Sequence, residues 1–135
     1  MSNREQVAAE RQAERILLVD DEESVLFAIT EYFRLRGHEV HRASDVQRAT
    51  ELLETHAFGC VVTDLHLTPA READGFAVAR AAREAGTGRI VLLTAHGTPD
   101  VVRAATEIGV DRVVAKPVLL SDLERVVLEP PGAEP

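Results

Sequence analysis

Acidic, hydroxyl and ammonium side chains follow short apolar runs in this sequence, each at the point where a run ends. Asp20 and Asp21 follow the first run, and Asp64 follows the next strongly apolar one. Thr94 ends a later run, and Lys116 follows the last. Neighbouring carboxylates repel by about 4 kcal/mol per pair at ~4 Å and an effective dielectric of ~20. A hard divalent cation such as Mg²⁺ would offset that repulsion, although a solvated acidic helix N-terminus explains the first two acids equally well.

A phosphoryl group fits the same set of side chains. With a metal ion neutralising charge, Asp64 could act as a nucleophile towards phosphorus. The Thr94 hydroxyl and the compact Lys116 ammonium suit the oxygens of a phosphoryl group. Lys116 is the only lysine among 15 basic residues, and an ion pair with a neighbouring acid is a second role for it. The two roles are compatible because the unmodified site is acidic.

The elements that must position these residues are strands and helices in alternation. Short apolar runs are typical of strands buried on both faces of a parallel sheet, and helical spacing of apolar residues marks the segments between them. The runs are Ile16–Val19, Cys60–Val62, Ile90–Leu93 and Val113–Ala115, with a more polar run at Glu39–His41. Five β-α repeats predict an α/β fold, a doubly wound five-stranded parallel sheet with five helices. Ligands of such folds bind at the carboxyl ends of the strands.

Three predicted helices begin with capping signals. Ser44 and Ser121 each open a capping-box pattern. Thr98 precedes a proline that would occupy the first helical position. These patterns predict that helices begin directly after Ser44, Thr98 and Ser121.

Composition limits the class of protein. The 135 residues carry a formal net charge of −8 without a basic cluster, which argues against nucleic acid or an anionic membrane as a direct partner. The single cysteine excludes an intramolecular disulfide and fits a reducing compartment. No apolar run is long enough for a transmembrane helix. We therefore expect a cytoplasmic protein with a polar N-terminal extension at residues 1–14, one domain at 15–128 and a proline-rich tail at 129–135.

Four motifs occur in order along the chain. They are Asp20-Asp21 after Ile-Leu-Leu-Val, Asp64 after Cys-Val-Val-Thr, Thr94-Ala95 after Ile-Val-Leu-Leu, and Lys116-Pro117 after Val-Val-Ala. Together they resemble the response regulator receiver domain of two-component signalling over residues 15–128. The resemblance implies a chemotaxis-regulator-like domain with the flavodoxin-like strand order 2-1-3-4-5.

The resemblance implies a switch and not a turnover enzyme. Asp64 would accept a phosphoryl group from a histidine kinase or phosphotransfer protein, Thr94 would hydrogen-bond that group, and Lys116 would pair with it. The only chemistry would be phosphorylation and dephosphorylation of the domain itself. A downstream protein partner would bind a face formed by helix 4, strand 5 and helix 5, which could also form a homodimer. We expect this face to include Val101, Val102, Val113 and Leu120.

The resemblance also implies Mg²⁺ as the cofactor. Asp21 and Asp64 would bind the ion directly, with Asp20 assisting. The backbone carbonyl of His66 would complete the protein ligands. The bond between Lys116 and Pro117 would be cis, which a proline makes tolerable.

Three features depart from the pattern of the family. The loop after Asp64 is longer by about three residues, and Val113 occupies the position of the family's switch aromatic. His66 and His96 flank the expected path of the water that attacks an aspartyl phosphate. One hypothesis is that these histidines set the lifetime of the phosphorylated state, and the alternative is that they are exposed loop residues.

Other functions stay open beside the leading one. A hydrolase that acts through a phospho-aspartate would need an acid near the nucleophile, and His66 stands where that acid would be expected. A phosphorylation-independent receiver-like adaptor is favoured by Val113 and by the longer loop. A receiver fragment of a larger regulator or hybrid kinase is a further alternative.

The other aromatic and histidine side chains are expected to be structural. We expect Phe27, Phe58 and Phe76 to pack in the core. We expect His38, His41 and His56 to lie at the polar edges of elements, because they show no ligand spacing.

Overall fold

The computed structural model describes residues 14–66 and 73–130, and in these ranges five strands alternate with five helices. The strands are β1 (Arg15–Val19), β2 (Glu39–Ala43), β3 (Cys60–Asp64), β4 (Arg89–Thr94) and β5 (Arg112–Ala115). The helices are α1 (Glu23–Leu35), α2 (Val46–Thr55), α3 (Ala73–Glu84), α4 (Pro99–Ile108) and α5 (Leu120–Val127). The strands pair in parallel in the order β2-β1-β3-β4-β5, which confirms the predicted sheet and its flavodoxin-like order.

The central strands are apolar because helices cover both of their faces. Every residue of β3 and β4 is buried. On one face Leu18 and Val62 pack with residues of α1 and α5, and on the other Leu17 and Val61 pack with residues of α2 and α3. This two-sided burial explains why these strands are continuous apolar runs and not alternating patterns.

The parallel register brings the carboxyl ends of the strands to one edge of the sheet. Val19 at the end of β1 pairs with Thr63, and Thr94 at the end of β4 pairs with Ala115. Residues that follow these strands are therefore neighbours in space although they are far apart in sequence.

The helix starts agree with one of the three predicted caps. Thr98 caps α4, since its side chain accepts a hydrogen bond from the Val101 amide at 3.3 Å. The prediction for Ser44 is wrong, because α2 is capped by Asp45, whose carboxylate accepts from the Arg48 amide. The prediction for Ser121 is also wrong, because α5 begins at Leu120 without a side-chain cap.

Most of the predicted terminal segments lies outside the described residues. Of the extension at 1–14 and the tail at 129–135, the structure describes Glu14, Glu129 and Pro130. The Glu14 carbonyl accepts a hydrogen bond from Glu39 in β2, and the carbonyl of Glu129 accepts one from buried Arg89 at the start of β4. Both described ends are thus bound to the sheet. Within the described ranges, no helix has the length and apolar character required to cross a membrane.

Gly75 in α3 packs directly against the backbone that follows β3. A Cβ atom at this position would lie 2.5 Å from the Asp64 carbonyl oxygen and 2.5 Å from the Leu65 Cα. Because backbone atoms cannot move aside as a flexible side chain can, we expect Gly75→Ala to lower the free energy of unfolding by about 1–3 kcal/mol. Urea unfolding of the variant and the parent protein measures this loss.

Gly97→Ala is the matched control. A Cβ atom at Gly97 would lie 3.6 Å from the nearest atom, the Thr94 Cγ2, which is an ordinary van der Waals distance. Its free energy of unfolding should therefore stay within about 0.5 kcal/mol of the parent value. Equal losses in both variants would contradict the prediction, because the loss in Gly75→Ala could then not be assigned to a clash with the backbone that follows β3.

Candidate functional site

Four of the predicted site residues lie at the carboxyl edge of the sheet. Asp20 directly follows β1 and Lys116 directly follows β5, while Asp64 and Thr94 are the last residues of β3 and β4. The Lys116 amide donates a hydrogen bond to the Thr94 carbonyl at 2.9 Å, which extends the β4–β5 ladder by one step. The backbone on which the predicted site depends is therefore part of the sheet itself.

Three carboxylates converge at this edge. One oxygen from each of Asp20, Asp21 and Asp64 lies within 4.8 Å of the others, and no other such group of His, Cys, Asp and Glu side chains occurs in the described part of the chain. Asp20 and Asp64 are buried, and Asp21 is exposed. Asp20 Oδ1 accepts a hydrogen bond from the Glu22 amide at 2.9 Å. That bond fixes the Asp20 side chain at the turn into α1.

Lys116 bridges the two buried carboxylates. Its Nζ lies 3.4 Å from Asp20 Oδ2 and 3.5 Å from Asp64 Oδ1. The side chain is 21% exposed, whereas those of Asp20 and Asp64 are 1% and 8% exposed. One ammonium therefore faces two largely desolvated carboxylates, and the cluster keeps an excess of negative charge. The Lys116–Pro117 peptide bond is cis, as predicted.

The pKa values of Asp64 and Lys116 reflect this excess of negative charge. Burial raises the pKa of Asp64, Asp20 raises it further, and Lys116 offsets these effects only in part. Burial alone would lower the pKa of Lys116, but Asp20 and Asp64 outweigh burial and raise it. Lys116 therefore carries a positive charge. The ionised form of Asp64 is less favourable in the folded protein than it would be in water.

This donor set fits a hard divalent cation. The three aspartates offer oxygen ligands only, which is the preference of Mg²⁺, and two of the three are buried. A divalent ion would also supply the positive charge that Lys116 alone does not. The backbone of His66 is described, but residues 67–72, which contain most of the longer loop, lie outside the described residues.

Thr94 and the two predicted histidines lie on the β4–α4 side of the edge. The Thr94 side chain is buried, and its hydroxyl accepts a hydrogen bond from the His96 amide at 3.1 Å. His66 and His96 line one cavity of about 450 Å³ together with Phe76 and Asp100. The two histidines that the sequence placed beside the site therefore share a single opening next to it.

The predicted partner face needs correction in one residue. Val101 is buried and packs with Leu65 and Leu92, so it cannot take part in docking. Val102, at 42% exposed, and Leu119, at 70%, are the large apolar side chains that this part of the surface presents.

Phe27 and His38 also differ from what the sequence suggested. Phe27 was expected to pack in the core, but it lies on α1 and is 60% exposed. His38, expected at a polar edge, is buried: its Nδ1 accepts from the Glu14 amide at 3.0 Å, and its Nε2 lies 3.1 Å from Glu124 Oε2. Because His38 and Glu124 are 86 residues apart in the chain, no local pattern could have indicated their contact.

Comparison with known proteins points to one family. The sequence profile of the response regulator receiver domain matches residues 16–128. The transcriptional regulatory protein SrrA of Staphylococcus aureus is 35% identical over 102 residues, which cover 76% of this chain and 41% of that protein. The chain thus spans about two fifths of the length of the curated relatives it matches.

Solved structures show the same fold. A response regulator from Burkholderia pseudomallei with a phosphorylated aspartic acid aligns with a TM-score of 0.77 and 23% identity, covering 86% of this chain and 66% of that one. The receiver domain of a Pseudomonas aeruginosa sensor histidine kinase, with magnesium coordinated in its active site cleft, aligns with a TM-score of 0.72 and 24% identity. That alignment covers 85% of this chain and 94% of that receiver domain.

Proposed function

The chain belongs to the response regulator receiver domain family, and from that premise we propose that it is a switch phosphorylated on Asp64. The observation that carries the proposal is the Asp64 carboxylate itself, buried at the end of β3 and 3.5 Å from Lys116. Burial raises the pKa of Asp64, so its ionised form is poorly solvated and is a stronger base and nucleophile than a carboxylate in water. The proposed phosphoryl donor is a histidine kinase or a phosphotransfer protein, and the switch would act in the cytoplasm.

The proposed reaction moves one phosphoryl group without other reactants. An oxygen of the Asp64 carboxylate attacks the phosphorus of a phosphohistidine, the P–N bond breaks, and its electron pair stays on the imidazole nitrogen. The product adds negatively charged oxygens beside Asp20. Lys116, already directed at Asp64, would pair with one of them, and the Thr94 hydroxyl would donate a hydrogen bond to another.

Asp20, Asp21, Asp64 and the backbone carbonyl of His66 would hold Mg²⁺. When bound, the ion neutralises charge on the transferring phosphoryl group. The Asp20 carboxylate accepts hydrogen bonds from the Glu22 amide and from Lys116, so it is already oriented before a metal ion binds. Asp21 is exposed and would complete the site from the solvent side.

We propose that the domain works as a binding module and not as a turnover enzyme. Its output would be a change in the face formed by α4, β5 and α5, where Val102 and Leu119 are exposed. Val113, half-buried against Leu92 and Val101, stands where the family has a switch aromatic. That short side chain favours a second candidate, an adaptor whose partner binding does not depend on phosphorylation.

Mass measurement after incubation with acetyl phosphate tests the main proposal. With Mg²⁺, the parent protein should gain the mass of one phosphoryl group, and Asp64→Asn should gain none. Glu54→Gln, which removes an exposed carboxylate on α2, should be phosphorylated like the parent protein. A parent protein that gains no mass would favour the adaptor, and a gain that persists in Asp64→Asn would place the phosphoryl group elsewhere.

The cavity beside the site gives a prediction about the lifetime of the phosphorylated state. His66 and His96, two residues after Asp64 and Thr94, line one cavity, and we propose that water reaches the aspartyl phosphate through this cavity. Because each replacement by alanine widens that cavity, we expect dephosphorylation to accelerate about fivefold, equivalent to ~1 kcal/mol in the barrier. The measurement is loss of the phosphorylated mass over time. His56→Ala, remote from the site at the end of α2, is the control, and unchanged rates for both site variants would contradict the prediction.

A further inference from the structure

The free edge of the sheet at β2 presents backbone groups that the phosphoryl site does not use. The Glu39 amide donates to the Glu14 carbonyl at 3.0 Å, so Glu39 directs its backbone towards β1. Alternate residues of a parallel strand direct their hydrogen-bonding groups to the same neighbour. Val40 and Arg42 therefore direct their amides and carbonyls away from the sheet, at the outer edge of β2.

These outward groups are only partly satisfied. The Val40 carbonyl accepts a hydrogen bond from Arg34 Nη2 at 2.8 Å. For the Val40 amide and for the amide and carbonyl of Arg42, no hydrogen-bond partner occurs among residues 14–66 and 73–130. Two donors and one acceptor are thus available to an additional strand.

A positively charged groove surrounds this edge. It encloses about 630 Å³, and its charged lining consists of Arg34, Arg42, Arg48 and one acid, Glu39, whose carboxylate already pairs with His41 and Arg15. Arg48 pairs with a carboxylate, that of Glu51 at 3.3 Å. Arg34 and Arg42 form no salt bridge with any residue that the structure describes. In a chain of net charge −8, these two arginines make a local excess of positive charge.

We propose that the β2 edge binds an extended acidic segment of a partner protein as an added strand. Backbone hydrogen bonds to Val40 and Arg42 would provide affinity, and carboxylates paired with Arg34 and Arg42 would select the partner. The proposal does not depend on phosphorylation, because this edge and the carboxylate cluster share no residue. Charged side chains on an edge strand also discourage unwanted pairing, and unpaired arginines do so selectively: they repel basic strands and attract acidic ones.

Other occupants fit the edge less well. A second copy of this chain, added symmetrically through β2, would bring two copies of Arg34 and Arg42 to one edge, and the repulsion between like charges there is destabilising. A nucleic acid would be repelled by the net charge of the chain and would leave the backbone donors of β2 unused. An acidic peptide satisfies both the arginines and the backbone.

The first test is a titration with a short acetylated and amidated peptide of alternating Glu and Val, followed by amide NMR. The Val40 and Arg42 amide signals should move downfield and exchange more slowly with solvent. The Glu39 and His41 amides should change little, because they already face β1. Absence of the Val40 and Arg42 shifts, or equal binding of a peptide with alternate amides N-methylated, would overturn the proposal.

Two substitutions at Arg42 separate charge from backbone. Arg42→Ala keeps the amide and should weaken binding about tenfold. Arg42→Pro also removes the outward amide, and it is compatible with an edge strand because that amide does not bond to β1; binding should be lost while the melting temperature stays close to that of Arg42→Ala. Arg103→Ala on α4 is the charge-matched control and should bind like the parent protein. The proposal would be overturned if Arg42→Pro still bound the peptide, or if single-stranded RNA bound the parent protein as tightly as the peptide does. Either result would mean that the groove is a non-specific charged patch.

Discussion

The Lys116→Met variant is expected to lose about 2–3 kcal/mol of folding free energy at pH 7 in the absence of divalent cations. The substitution leaves the buried carboxylates of Asp20 and Asp64 without the ammonium that lies 3.4 and 3.5 Å from them. Removing one partner of a buried ion pair costs about 3–5 kcal/mol, and the partial exposure of Lys116 reduces that value. Urea unfolding measures the loss.

The pH dependence of this loss identifies its cause. Without Lys116 the pKa of Asp64 rises further, so the folded variant binds a proton that the unfolded chain releases. Its stability deficit should therefore shrink as the pH falls and the carboxylates become neutral. Mg²⁺ should stabilise the variant more than the parent protein, because it replaces the missing charge. A deficit that is the same at pH 7 and pH 5 would point to lost packing of the lysine chain instead.

Lys116→Arg keeps the charge and is the conservative counterpart. The guanidinium is a wide planar fork, whereas the site offers a narrow position between Asp20 and Asp64. We expect the variant to keep most of the stability and to accept a phosphoryl group, yet to switch its partner poorly. Normal partner switching in Lys116→Arg would mean that a compact ammonium is not required there.

The alternation of strands and helices could be predicted from the sequence because burial on both faces leaves a visible pattern. β3 and β4 are continuous apolar runs for that reason. The helix starts were less predictable, because Ser44 and Asp45 are both good caps and only the local geometry selects Asp45. The first turn of α5 begins at Leu120 without a side-chain cap, so no capping signal marks it.

The candidate site was predictable to the extent that it follows from strand ends. Asp20, Asp64, Thr94 and Lys116 meet because parallel register aligns the ends of β1, β3, β4 and β5. Contacts that depend on helix packing were not predictable. The way α1 and α5 pack on the sheet determines that Phe27 is exposed. It also determines that His38 and Glu124 form a buried pair. The sequence near these residues does not indicate how the two helices pack.

Asp64→Asn should abolish phosphoryl acceptance and at the same time stabilise the metal-free fold at pH 7. Burial and Asp20 raise the pKa of Asp64 in the folded protein, which means that its ionised form is more costly there than in the unfolded chain. Asparagine has nearly the same shape and no charge, so it removes this cost. We expect the melting temperature to rise by about 2–5 °C. Glu54→Gln, which removes an exposed carboxylate on α2, should leave it unchanged.

The sign of the pH dependence follows from the same raised pKa. A carboxyl group whose folded pKa exceeds its unfolded value destabilises the fold fully above the folded pKa, and this effect disappears below the unfolded value near 3.8. The stability advantage of Asp64→Asn should therefore be largest at neutral pH and vanish in acid. It should also shrink when Mg²⁺ is added, because the ion stabilises the parent protein by binding the carboxylates of its native state. A variant less stable than the parent protein at pH 7 without metal would show that the attraction between Asp64 and Lys116 outweighs the cost of burying the Asp64 carboxylate.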